Sequence, residues 1–184
     1  MKKALMLVAS VALLSAPSTP AFAGHSERKD LQVMNDIIKQ VNRYERFTMF
    51  DDVSAGVDAG VVTLTGKVTL PFKRTDIEKR VARVDGVKRI DNQIEVLPVS
   101  QLDDELRYRI ARTIYGNPTF WGYAAMVNPP IHIVVNRGRV TLTGVVDSEV
   151  DRMLARSLAS FSGAFSVKSD LKTSAEARAS VEGD

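Results

Sequence analysis

The sequence predicts an α+β fold made of two tandem copies of one helix-strand-strand-helix-strand unit, each with a three-stranded mixed sheet covered by two helices. Three observations carry this. First, Asp58-Ala59-Gly60-Val61-Val62-Thr63-Leu64-Thr65-Gly66-Lys67-Val68 returns, 78 positions on, as Asn136-Arg137-Gly138-Arg139-Val140-Thr141-Leu142-Thr143-Gly144-Val145-Val146. Self-similarity at that period marks a duplicated small domain rather than a solenoid of short repeats. Second, each repeat is preceded by a helical apolar period and followed by another. Third, each copy closes on a glycine, Gly86 or Gly163, and a short apolar strand.

The opening segment is set apart from both copies. Lys2 and Lys3 precede the apolar run Ala4 to Ala16, and Ala21-Phe22-Ala23 is a small-x-small site. This pattern reads as a secretory signal peptide, residues 1–23, cleaved after Ala23. It is too short for a membrane span. The expected location is the periplasm. The chain has no cysteine, which excludes a disulfide framework and a thiol-linked lipid anchor. Removing Lys2 and Lys3 leaves 23 basic against 22 acidic residues, a net charge of +1. That balance argues against bulk nucleic-acid binding, which needs a strong positive field.

In copy one, residues 24–98, the first helix runs from about Asp30 to Tyr44, with Leu31, Met34, Ile38 and Val41 as its apolar face. Val53, Ala55 and Val57 alternate in the first strand, and Val62, Leu64 and Val68 point inward from the second. The turn between them, Asp58-Ala59-Gly60, suits a three-residue loop in which a type I turn ends in a left-handed glycine. Gly60 and Gly138 are therefore expected at positive φ, while Gly66 and Gly144 mark a bulge or a close backbone approach. The second helix starts at Pro71 and buries Ile77, Val81 and Val84; Ile90, Ile94 and Val96 form the last strand.

Copy two, residues 99–173, begins after Leu97-Pro98-Val99-Ser100, a linker short enough to keep the domains close. Asp103 or Asp104 caps its first helix, and Leu106, Ile110, Thr113 and Ile114 share one face. Ile131, Ile133 and Val135, then Val140, Leu142 and Val146, face inward from its two hairpin strands. Asp147 or Ser148 caps the second helix, whose core positions are Val150, Leu154, Leu158 and Phe161; Val167, Leu171 and Thr173 close the copy. Residues 174–184 read as a flexible tail.

The pattern apolar-x-Gly-x-Val-Thr-Leu-Thr-Gly-x-Val, carried by Gly60 to Val68 and Gly138 to Val146 and followed by Gly86 to Val96 and Gly163 to Leu171, resembles the BON domain. The resemblance covers nearly all of the chain beyond residue 23. A signal peptide with two tandem copies resembles periplasmic, osmotically inducible members of that family. The resemblance implies the element order given above, binding at the envelope, usually to phospholipid membranes, and no catalysis. It makes Gly60, Gly66, Gly86, Gly138, Gly144 and Gly163 structural. Copy two departs by carrying Ser169 where copy one has Asn92, and by a longer aromatic segment, Asn117 to Pro130.

Other chemistry finds little purchase. His25 and His132 are the only histidines and no metal-ligand cluster accompanies them. Neither a cysteine nor a Ser-His-Asp context supplies a nucleophile. Asp51-Asp52 and Asp103-Asp104 read as turn and cap residues. No catalytic residue, metal or cofactor is expected. The informative surface is the first helix of copy two. Tyr108, Arg112 and Tyr115 lie opposite Leu106, flanked by Arg107 and Arg109, whereas copy one offers Asp36, Lys39, Gln40 and Arg43 there. Trp121 sits in Phe120-Trp121-Gly122-Tyr123, which either covers the domain or anchors at a lipid interface. Arg107, Tyr108, Arg109, Arg112, Tyr115 and Trp121 are the expected lipid-binding residues, with an anionic phospholipid surface as partner. The competing readings are a seam against copy one and a protein-binding adaptor for envelope proteins.

Overall fold

The computed structural model describes residues 23–182, with side chains from 29 to 179. The signal-peptide reading of residues 1–23 and its cleavage site lie outside the residues so described. Domain 1 comprises α1 (Ala23–Asn42), β1 (Asp52–Asp58), β2 (Val61–Val68), α2 (Pro71–Val81), β3 (Arg89–Asn92) and β4 (Glu95–Val96). Domain 2 comprises α3 (Gln101–Tyr115), a single 3-10 turn (Pro118–Phe120), α4 (Trp121–Ala124), β5 (Ile131–Asn136), β6 (Arg139–Val146), α5 (Glu149–Ser160), β7 (Ser166–Ser169) and β8 (Lys172–Thr173). Residues expected to fray instead form α6 (Ser174–Glu182). That helix is tied down: the Thr173 N–H and the Arg152 guanidinium both reach Glu176 and hold its carboxyl below the usual range.

Both sheets have one plan. The second strand is central, antiparallel to the first and parallel to the last. The last strand is broken in two in each copy, so β3 and β4 both pair with β2, and β7 and β8 with β6. Asn92 fills the break in domain 1: its Oδ1 accepts from the Ile94 N–H and its Nδ2 donates to Glu78. Ser169 has no such partner, and its Oγ is buried without a hydrogen bond. Val62, Leu64 and Val68, and their counterparts Val140, Leu142 and Val146, are buried as the alternation predicts.

The hairpin turn differs from the expected three-residue loop. Asp58 pairs with Val61 and Asn136 with Arg139, leaving only two residues in each turn. Ala59 and Gly60 have φ of 48° and 82°, and Arg137 and Gly138 have 53° and 73°. That is a type I′ turn, whose twist suits the flanking strands but strains the non-glycine position. A device not anticipated from the sequence offsets this. Asp30 accepts from the Ala59 and Gly60 amides, and Asp103 accepts from those of Arg137 and Gly138. Asp103 is thus a turn anchor; the helix cap is Ser100, which accepts from the Asp103 N–H.

The anchoring aspartates also set helix phase. With Asp30 aimed at the turn, the positions three, seven and eleven residues on face the sheet. Val33, Ile37 and Val41 are buried, whereas Leu31 and Ile38, expected in the core, are about half exposed. In α5 the buried residues are Ala155 and Ala159, with Leu154 and Leu158 partly covered. Val150 and Phe161 face outward, contrary to expectation, because the small alanines let the helix close on its neighbours. Leu97, not Val96, completes the core beside Ile94.

The domains meet through the segment between α1 and β1. The Ile133 N–H of edge strand β5 donates to the Met49 carbonyl at 2.7 Å. The Phe47 ring lies 5.6 Å from His132, and Asn128 donates to the Asn42 carbonyl. This segment is fixed from behind by Asp51, which is fully buried. Its carboxylate accepts from Lys73 Nζ at 2.6 Å, from Thr48 N and Oγ1, and from Thr69 N and Oγ1. Every lone pair of the buried charge is therefore engaged.

Candidate functional site

Helix α3 is where the two domains diverge. Its buried arc is Asp103, Leu106, Arg107, Ile110 and Ile114. Arg107 lies inside that arc, four residues after the inward-pointing Asp103, and is only 3% exposed. Its guanidinium donates to the Val135 carbonyl at 2.6 Å and pairs with Asp104. It fastens α3 to edge strand β5 and is not available to a ligand, which removes it from the expected surface.

Tyr115 is also turned inward. Its hydroxyl donates to the Ile131 carbonyl at 2.5 Å, and burial pushes the phenol well above its ordinary pKa. Tyr108, by contrast, is 61% exposed. Its ring meets that of Phe50 of the inter-domain segment in a T-shaped pair, with centroids 5.1 Å apart at 80°. Tyr108 therefore forms the rim of the seam rather than its interior, so the surface and seam readings each describe part of it.

Arg109 and Arg112 are exposed on the same side. With Glu105 and Tyr108 they line an open depression of about 570 Å³. Arg109 also donates to the Ser162 carbonyl, so its position is fixed from the α5–β7 loop. The Pro118–Ala124 segment divides between the two readings given to it. Phe120 is fully buried, and the Tyr123 hydroxyl accepts from the Asp147 N–H. Trp121 is 62% exposed, its indole N–H donating to the Gly116 carbonyl at the end of α3. Met126 and Val127 beyond it are also exposed.

The result is an exposed stretch of α3 with Tyr108, Arg109 and Arg112 beside Glu105, and Trp121 on α4 tied to the C-terminal end of that helix. The matching helix of domain 1 presents Asp36 paired with Lys39 in that sector. Such a face attracts anions and tolerates a boundary between water and lipid. Among the described residues no group of three His, Cys, Asp or Glu converges as a metal site would require. No helix among them is long and apolar enough to cross a membrane.

The family model for the BON domain matches residues 32–98 and 124–175. The match to domain 2 thus starts after α3, the helix that carries the distinctive face. No curated protein matches the chain. Among solved structures the chain is similar to CdsD, a structural protein of the type III secretion system of Chlamydia trachomatis, at 14% identity over 82% of this chain and 97% of that one, with a TM-score of 0.29. It is similar to the C-terminal domain of the same protein at 13% identity over 77% and 96%, with a TM-score of 0.28.

Proposed function

The chain belongs to the BON-domain family, and from that premise we propose that it is an exported, non-enzymatic protein that docks reversibly on anionic phospholipid surfaces of the bacterial envelope. Proteins with this domain are associated with envelope or osmotic stress and with phospholipid binding, and are generally binding proteins rather than enzymes. Cleavage after Ala23 and release into the periplasm belong to the proposal.

The observation that carries it is the asymmetry between the copies. They share a core, a turn and an anchoring aspartate, yet only domain 2 sets exposed Tyr108 beside the exposed cations Arg109 and Arg112, with exposed Trp121 at the end of the same helix. Tyrosine and tryptophan rings sit well at headgroup depth, and each arginine near an anionic surface adds about 1 kcal/mol, lost as salt rises. Without a spanning helix among the described residues, peripheral contact is the mode this face supports.

Co-sedimentation of the chain with vesicles of graded anionic content tests the reading. Binding should rise with anionic lipid and fall with salt. Arg112→Glu combined with Tyr108→Ala should weaken it by about tenfold or more, because a charge reversal removes about 1 kcal/mol and adds repulsion. Lys39→Glu in domain 1 should leave it nearly unchanged. Indifference to vesicles of any charge, with protein partners recovered instead, would favour an envelope adaptor.

A further inference from the structure

Resting on that reading, we propose a second membrane contact: the loop from Phe161 to Phe165 inserts its two phenylalanines at the headgroup–acyl boundary of an anionic bilayer, while Arg109, Arg137 and Arg139 meet the phosphates around it. Phe161 is 86% exposed and Phe165 77% exposed. Two large rings held in water on one five-residue loop call for an occupant, since a single exposed apolar residue is ordinary at a surface but two such rings within five residues are not.

Copy one shows what the loop looks like without this role. Phe161 stands where domain 1 has Val84, buried at 8%, and Phe165 stands where it has Lys88. The correspondence is structural: the Lys88 N–H donates to the Gly60 carbonyl, and the Phe165 N–H donates to that of Gly138. Lys88 turns back to the Ala59 carbonyl and closes the surface. In domain 2 the same backbone instead presents phenyl rings.

The loop is fixed rather than slack. Arg109 donates to the Ser162 carbonyl, and Gly163 takes a φ of 81°. The guanidinium of Arg139 lies 5.2 Å from the centre of the Phe165 ring. Arg137, in the neighbouring turn, is exposed. Of the carboxylates on α3, Asp103 is buried and occupied by two backbone amides, Asp104 pairs with Arg107, and Glu105 lies beside Arg109 in the Tyr108 depression, which among the described residues leaves Arg137 and Arg139 as the cations of the loop without an ion pair. Leu102, 78% exposed, lines the adjoining depression of about 420 Å³ with Arg109, Arg137 and Gly163. Arg109 therefore belongs to both depressions, and the loop is continuous with the Tyr108 face. Exposed rings, with Arg139 over Phe165 and with Arg109 and Arg137 beside Gly163 of the same loop, fit a surface that is anionic outside and apolar beneath.

The chain's lack of cysteine makes a clean test possible. A single cysteine at Phe165 carries an environment-sensitive fluorophore, with a second version labelled at Lys39 as control, and vesicles contain lipids with a quencher at defined depth. The proposal expects a blue shift and quenching near the headgroup–acyl boundary for the label at 165 and neither at 39. It also expects Phe161→Ala with Phe165→Ala to weaken binding at least about tenfold at physiological salt without lowering the melting temperature, because both rings start exposed. Unchanged sedimentation of the double variant, with no shift at 165, overturns the insertion loop and leaves the Tyr108 reading standing. Failure of the unaltered chain to sediment overturns both. A dimer in solution that the double variant converts to monomer, with vesicle binding intact, assigns the rings to a second copy and overturns the proposal.

Discussion

Asp51→Ala should destabilise domain 1 by about 3–5 kcal/mol. The substitution leaves Lys73 as a buried charge without its partner and strips acceptors from Thr48 and Thr69. Against a typical domain stability of about 5–15 kcal/mol, that is enough to leave domain 1 marginal. Denaturant unfolding followed by circular dichroism measures it. Pairing Asp51→Leu with Lys73→Met should recover only part of the loss, since the amides of Thr48 and Thr69 still want an acceptor. Domain 2 should feel the change too. The Ile133 amide, bonded to the Met49 carbonyl of the segment that Asp51 secures, should exchange with solvent faster than in the unaltered chain. A loss below about 1 kcal/mol would mean the pair is not structural.

Gly144→Val should destabilise domain 2 by about 3 kcal/mol or more. Gly144 has a φ of 109°, and a Cβ there would run into the Pro130 carbonyl. Strain and collision add, and the obstacle is backbone rather than the end of a flexible side chain. Gly66→Val should act alike in domain 1, where the obstacle is the Asp52 carbonyl. Gly56→Val is the contrast: apart from its chain neighbours nothing lies within 4 Å of an added Cβ, so it should be neutral or mildly stabilising in a strand. Equal effects at 56 and 144 would contradict the close-approach account of the motif glycines.

The duplicated motif made the architecture legible. The element order, the inward residues of β2 and β6, and the positive φ of Gly60 and Gly138 follow from periodicity, alternation and the turn glycine, and are found, although the turn is one residue shorter than expected. Helix phase was less legible, for a physical reason. Helix α1 has two apolar arcs, one through Leu31 and Ile38 and one through Val33 and Ile37, and periodicity alone does not rank them. The choice is made by Asp30, whose carboxylate must reach the hairpin turn; that long-range bond has no local sequence signature. The same aspartate logic in α3 carries Arg107 inward with Asp103, which is why one of the expected surface cations is a fastener between helix and strand. Along α5 and its C-cap, the large apolar residues placed the core face on Val150, Leu154, Leu158 and Phe161, whereas close packing chose Ala155 and Ala159. The exposed phenylalanine loop could have been found by aligning the copies, since Val84 and Lys88 against Phe161 and Phe165 is a change of character at matched positions.

The central claim is that domain 2, and not domain 1, is the working surface. Amide hydrogen exchange on the whole chain, with and without anionic vesicles, tests it most directly because it reports every segment in one experiment. The account predicts new protection confined to domain 2, in α3 around Tyr108 to Arg112 and in residues 161–165, with α1 and α2 unchanged. Protection centred on α1 or α2, or spread equally over both domains, would contradict it.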